Sequence, residues 1–130
     1  MLASSRFVQQ ITMIPGAFQA ISAQDELFNH CDTNEYMWSG DGSRQVRWDF
    51  TFDQPFAAPP VVSAGLSGMD SSQSENLRFN IRCTEITAEG FTLLFDTWDN
   101  TRIARAGVSW SAHGIAVGKA RGPIAAKAKD

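Results

Sequence analysis

Gln45 to Phe52 reads QVRWDFTF, and this octapeptide decides the fold class. Val46, Trp48, Phe50 and Phe52 are apolar, whereas Gln45, Arg47, Asp49 and Thr51 are polar. Successive strand residues point to opposite faces, so strict alternation predicts a β-strand with one buried and one wet face. Asp53-Gln54-Pro55 ends it, because proline cannot donate to a central ladder.

The same reading extends outward. Pro59-Pro60 precedes VVSAGL at Val61 to Leu66, a short, mostly apolar run that predicts a more fully buried strand. Gly68 to Glu75, GMDSSQSE, predicts a polar loop. In Leu77 to Cys83, LRFNIRC, the residues Leu77, Phe79, Ile81 and Cys83 alternate with Arg78, Asn80 and Arg82, so Arg78 falls on the outward face of a strand that Ile86 continues. Thr87 to Gly90 is a turn signal, after which Phe91, Leu93 and Phe95 alternate with Thr92, Leu94 and Asp96. DTWDNT at Asp96 to Thr101 reads as a second loop, and Ala104, Ala106, Val108, Trp110 and Ala112 share one face of a last strand. Before Gln45 the pattern is weaker: Arg6 to Ile14 and Ala20 to Phe28 are read as strands, and Asp32 to Gly42 as a loop. Beyond Gly114 the Ala, Gly and Lys content predicts a mobile, partly helical tail. Five or six strands with short polar connections favour an all-β antiparallel sandwich, with a small barrel as the competing closure.

Composition narrows the function classes. A chain of 130 residues suits one domain, and 43% hydrophobic with 19% charged residues is globular composition. The net charge of −3 disfavours a grip on nucleic-acid phosphates. No apolar run approaches the ~20 residues that span a bilayer, so membrane insertion is not expected. The N-terminus MLASSRFVQQITMIPG shows no hydrophobic stretch of signal-peptide type, so a cytoplasmic setting or a leaderless export route is expected. Cys31 and Cys83 lack CxxC spacing and are read as small, mostly buried free thiols; His30 beside Cys31 is weak evidence of metal. No metal and no cofactor is expected.

Catalytic signatures are sparse. His30 and His113 lack a flanking nucleophile motif, and neither a GxxxxGK[ST] nor a GxGxxG stretch occurs. The loop carboxylates Asp70, Glu75, Asp96 and Asp99 are read first as turn formers, so no catalytic residues and no enzymatic activity are expected. Trp98 is different, because it sits in a polar run where a core aromatic is out of place. An exposed indole offers a flat apolar face to the C–H face of a pyranose, with hydroxyl partners needed at the rim. Arg78 offers a planar fork able to bond neighbouring hydroxyls, with a surface salt bridge as the plainer role. Trp48 and Trp110 fall on alternating apolar faces and are assigned to the core.

These residues recur in a familiar order. Trp38-Ser39-Gly40-Asp41, FTFDQPFAAPPVV at Phe50 to Val62, Met69-Asp70, Ser74 to Arg78, Gly90-Phe91, DTWDNTRI at Asp96 to Ile103 and Val108-Ser109-Trp110 together resemble the H-type lectins. The resemblance covers Trp38 to about Gly114. It implies a six-stranded antiparallel β-sandwich that forms homotrimers or multiples of them. It also implies recognition of galactose-type glycans such as N-acetylgalactosamine at sites between subunits, with cell adhesion as the expected setting. The sugar-contacting arginine falls on Arg78, the stacking and contact pair on Trp98 and Asp99, and the acidic loop contact on Asp41 with Ser39 and Gly40 beside it. Asp99 stands where the snail relatives carry His, which alters the hydrogen-bond pattern offered to the sugar. Phe95 stands where the snail family's disulfide needs a cysteine, so that bridge is absent. Residues 38–114 form the lectin core in this reading. Residues 1–37 complete the sandwich or aid oligomerisation, and 115–130 form the tail. The alternative is a trimeric structural or interaction module of a larger assembly, without sugar binding.

Overall fold

A computed structural model describes residues 6–118. Seven strands build two antiparallel sheets: β1 (Gln10–Ile14), β2 (Phe18–Asn29), β3 (Arg44–Thr51), β4 (Val61–Ser71), β5 (Asn80–Thr84), β6 (Gly90–Thr97) and β7 (Ile103–Gly114). One sheet has the order β1-β2-β7-β4 and the other β3-β6-β5. The fold is the expected all-β sandwich, with seven strands where the family resemblance implies six. Two single helical turns, α1 (His30–Thr33) and α2 (Tyr36–Ser39), occupy the stretch read as a loop. Asn29 caps α1 by accepting from the Asp32 amide, and Asn34 ends it in the left-handed region.

The alternation of QVRWDFTF puts Val46, Phe50 and Phe52 into the core, with Trp48 partly buried against it. β6 pairs with β3 on one side and β5 on the other, so Phe91, Leu93 and Phe95 lie at the centre of the sandwich. From the opposite sheet Ile21, Ala23, Ala106, Val108, Trp110 and Ala112 face them. Phe50 stacks on Phe91 at 5.3 Å, and Trp110 meets the Phe91 ring edge-on at 5.0 Å. These aromatic contacts each add about 0.5–1.5 kcal/mol beyond area burial. Phe7 is fully buried against Trp48 and Phe50, and Arg6 lies over the Trp48 indole while donating to the Glu26 carbonyl. Arg6 and Phe7 thus cover one side of the sandwich.

Four local readings need correction. VVSAGL is not fully buried: β4 is an edge strand, Val61 is 75% exposed, and within this stretch Val62 and Ala64 are the residues packed against the core. β4 continues to Ser71, because β7 is long enough to pair with Gly68 to Ser71 and recruits polar residues that carry no strand signal. β5 begins at Asn80 rather than Leu77, so Arg78 belongs to a connecting segment and not to a strand. Cys31 is exposed on α1, and Cys83 is partly buried, where burial pushes its thiol up; both are free. Residues 119–130 of the tail lie outside the described residues, whereas Ala116 still bridges to Phe56. No helix among the described residues is long and apolar enough to cross a membrane.

Candidate functional site

The loop after β6 explains the spacing of DTWDNT. Thr97 and Thr101 are both buried and flank Trp98. The Thr97 hydroxyl donates to the Arg78 carbonyl, and Thr101 Oγ1 accepts the Arg78 amide at 3.2 Å. Thr101 Oγ1 also accepts from Arg78 Nη1 at 3.2 Å and donates to the Asn76 carbonyl at 2.6 Å. One donation and two acceptances use the full capacity of that hydroxyl. The two threonines therefore clamp the Arg78 backbone to the loop that carries the indole.

The Arg78 guanidinium is also aimed. Its Nη1 donates to Asn100 Oδ1 at 2.9 Å, while Nη2 lies 3.8 Å from Asp99 Oδ2. At 3.8 Å the Asp99 contact is an ion pair without a hydrogen bond, so Nη2 keeps its donors for another acceptor. Arg78 is 24% exposed and Asp99 is 64% exposed, so the pair itself adds little stability. Asp99 has a φ of 61°, in the left-handed region that Asp, Asn and His tolerate best. The turn pushes Trp98 outward, leaving it 43% exposed. Arg78, Trp98 and Asp99 thus come together on one loop system.

Asp41 does not join them within the chain. Its carboxylate lies 3.8 Å from Arg102 Nη2, and Arg102 Nε is 3.9 Å from Glu75 while Nη1 donates to the Trp38 carbonyl at 3.1 Å. The Ser39 hydroxyl turns inward to the Asn34 and Glu35 carbonyls, both at 3.0 Å. Gly40 is a packing requirement, since a Cβ there would sit 2.7 Å from the Tyr36 carbonyl oxygen.

Arg44 was missed by the sequence reading. Nearly fully buried, it donates to the carbonyls of Gly42 at 2.9 Å, Tyr36 at 3.2 Å, Met37 at 3.4 Å and Asp99 at 3.0 Å. The Gly42 amide also donates to the Asp99 carbonyl at 2.9 Å. Burial lowers the Arg44 pKa, with Asp41 opposing that shift. One guanidinium therefore holds the Asp41 loop against the Trp98 loop. Arg44 is in phase with Val46, Trp48 and Phe50, but parity at a strand end says nothing of the carbonyls that it meets. Asn100, Thr101 and Arg102 were likewise missed as site-builders, and their role appears once Arg78 is placed.

His30 supports the same loop from below. It is buried between Phe28 and Tyr36, and its Nδ1 accepts the Met37 amide at 3.1 Å. Desolvation lowers its pKa below 6.5, with Glu35 partly opposing. The folded state therefore binds this proton less readily than the unfolded chain. His30 contributes full stability above about pH 6.5, and that contribution falls as pH drops below it toward the depressed folded value. Chemical denaturation at pH 7 and pH 5 should show a larger loss for the wild type than for His30→Asn. Equal losses in the two proteins would show that His30 does not carry the dependence. Among the described residues no group of three or more His, Cys, Asp or Glu side chains is placed to hold a metal ion.

This is a small β-sandwich with an exposed indole and a positioned guanidinium on neighbouring loops, and known proteins share the fold. The H-type lectin domain pattern matches residues 47–113. "ATP synthase subunits region ORF 7" of Fuscovulum blasticum is 42% identical over 88 residues, covering 68% of this chain and 76% of that protein. Discoidin-2 of Dictyostelium discoideum is 33% identical over 66 residues, half of this chain and 26% of its own length. The structure of recombinant discoidin II of Dictyostelium discoideum superposes with a TM-score of 0.65 at 22% identity, covering 80% of this chain and 40% of that one. The chain thus spans well under half of the discoidins, and the structural likeness speaks to fold alone. The chain belongs to the H-type lectin family, a family of carbohydrate-binding domains.

Proposed function

We propose that this protein is a multivalent, non-catalytic lectin for galactose-type sugars, including N-acetylgalactosamine, acting as a homotrimer or a multiple of it. The observation that carries this reading is the half-exposed Trp98 beside a pre-aimed Arg78 fork. The indole supplies an apolar wall for one pyranose face, and Arg78 Nη2 donates to ring substituents. Asp99 accepts from hydroxyls, since an ionised carboxylate is acceptor-only. Asp41, with Ser39 and Gly40 behind it, completes the site from a neighbouring subunit. Its carboxylate points to Arg102 and not to Arg78 within one chain, which supports a contribution across a boundary.

The outer face of the larger sheet supports assembly. Ser22, Ser63, Ser109, Ser111 and Gly65, with Gln10 and Gln24 beside them, line a shallow depression of about 620 Å³. Small residues allow a second sheet to approach closely. A trimer gathers three weak sites, and clustered glycans then raise apparent affinity through effective concentration.

Calorimetry with galactose and N-acetylgalactosamine, beside sedimentation at micromolar concentration, tests the reading. Binding of at least one sugar by a trimeric species is expected, with Asp41→Ala weakening it at least tenfold while the trimer persists. A stable trimer that binds nothing on a glycan array would support the structural-module alternative. A monomer that binds sugar with unchanged affinity after Asp41→Ala would remove the intersubunit site.

A further inference from the structure

We propose that the cleft on the far side of Trp98 is a second saccharide subsite, taking a neutral sugar unit next to the one held by Arg78. This rests on the lectin reading and extends it from a monosaccharide to a glycan segment. The cleft has a volume of about 430 Å³, and its walls include Ser43, Gln45, Arg82, Asp96 and Trp98. That volume lies in the ~300–1,000 Å³ range of small-ligand sites. It sits where the outer face of the smaller sheet meets the Trp98 loop, with Gln45, Asp96 and Asn80 in one cross-strand row.

The polar groups here are fixed. Gln45 Nε2 donates to Asp96 Oδ1 at 2.7 Å, and Arg82 Nε donates to Asp96 Oδ2 at 3.0 Å. Asp96, only 23% exposed, thus has each oxygen held by a different neighbour. Among the described residues, the two terminal Arg82 nitrogens, the side-chain Oε1 of Gln45 and the Ser43 hydroxyl make no hydrogen bond in this cleft. They leave both donors and acceptors beside an exposed aromatic face, the combination that a polyhydroxylated ring requires.

The charge balance selects the ligand class. Arg82 and Asp96 pair with each other, and Arg44, which also lines the cleft, has its guanidinium turned to four backbone carbonyls, so neither an anionic nor a cationic sugar finds an unpaired charge here. A neutral unit gains hydrogen bonds from both without a charge conflict. Arg78 does not line this cleft, whereas Trp98 does. Trp98 thus belongs to the cleft while Arg78 stands outside it on the neighbouring loop, and in this proposal consecutive units of one glycan contact the indole, one toward Arg78 and one toward Arg82.

The test compares galactose and N-acetylgalactosamine with a panel of neutral disaccharides ending in either sugar. At least one disaccharide should bind the wild type tenfold or more tightly than its own terminal monosaccharide. Arg82→Gln and Gln45→Ala should bring that ratio close to one, with monosaccharide affinity within about twofold of wild type. Both substitutions are on the exposed face of the sheet, and circular dichroism checks that each variant keeps the wild-type fold. A wild type that binds monosaccharides but gains nothing from any disaccharide would overturn the subsite, as would a gain that survives Arg82→Gln. A wild type that binds neither class would overturn the lectin reading itself, and this proposal with it.

Discussion

Arg78→Ala and Trp98→Ala are each expected to abolish measurable binding of galactose and N-acetylgalactosamine while the fold and the assembly survive. Arg78 is held on one side by Asn100 and Thr101, so its fork reaches a ligand with little conformational freedom left to lose. A hydrogen bond from a charged donor is worth about 1.5–3 kcal/mol, roughly ten- to a hundredfold in affinity. A single shallow site starts from a dissociation constant on the order of 1 mM, about 4 kcal/mol, so a loss of that size removes the signal. Truncating Trp98 removes the apolar wall, at about 1.5–3 kcal/mol for a large side chain buried by the ligand. Neither change touches the core: Trp98 is solvent-facing, and the Thr97 and Thr101 clamps hold the Arg78 backbone, which an alanine keeps. Arg78→Lys keeps the charge and loses the planar fork, so it should fall between wild type and alanine. Asp99→His should change sugar preference with the loop intact, because both residues tolerate the positive φ found there. Calorimetry with sedimentation on each variant checks this set. If Trp98→Ala binds as tightly as wild type, the sugar lies elsewhere and the residue assignment carried over from the family is wrong.

The fold class was legible because period-two alternation reports directly on which face is buried. QVRWDFTF and the Ala104 to Ala112 face were read correctly for that reason. The errors fall where burial is one-sided or partial. VVSAGL has the composition of a central strand, yet it forms an edge, and composition alone does not reveal how many neighbours a strand has. Gly68 to Ser71 pairs because β7 runs past it, a long-range cause with no local signal. At the site, Trp98 announced itself as an aromatic in a polar run. Arg44 did not, because a buried arginine bonding four carbonyls looks like any charged residue at a strand end. The division of the site, with Asp41 facing Arg102, was likewise beyond reach, since loop carboxylates carry no directional information in sequence.

Gly90→Ala is expected to destabilise the fold by about 3 kcal/mol or more, and to lower the melting temperature by roughly 10 °C. The Gly90-Phe91 dipeptide was one of the family-like motifs, and the structure supplies its physical reason. A Cβ at Gly90 would lie 2.1 Å from the Phe50 carbonyl oxygen, 3.1 Å from the Phe50 carbonyl carbon and 3.2 Å from Thr51 Cα. All three atoms are backbone, so no side-chain rotation relieves the overlap, and β3 and β6 must separate. Both sides resist. The Gly90 carbonyl accepts the Thr87 amide at 2.9 Å, and the Glu89 and Ala88 carbonyls accept the amides of Phe52 at 2.8 Å and Phe56 at 2.9 Å. Any shift also pulls apart Phe50 and Phe91, whose stacked rings anchor Trp110. The binding loop should be spared. Gly90 pairs with Thr51 at one end of the β3–β6 ladder, and Arg44 pairs with Thr97 at the other. Seven residue steps along a strand separate them by about 20 Å. Thermal and denaturant unfolding should therefore show a large stability loss in Gly90→Ala, while calorimetry well below its melting point gives the wild-type sugar affinity per folded molecule. An unchanged melting temperature would mean that the two strands accommodate a methyl group without cost, and that the close approach at Gly90 is not what holds this edge of the sandwich together.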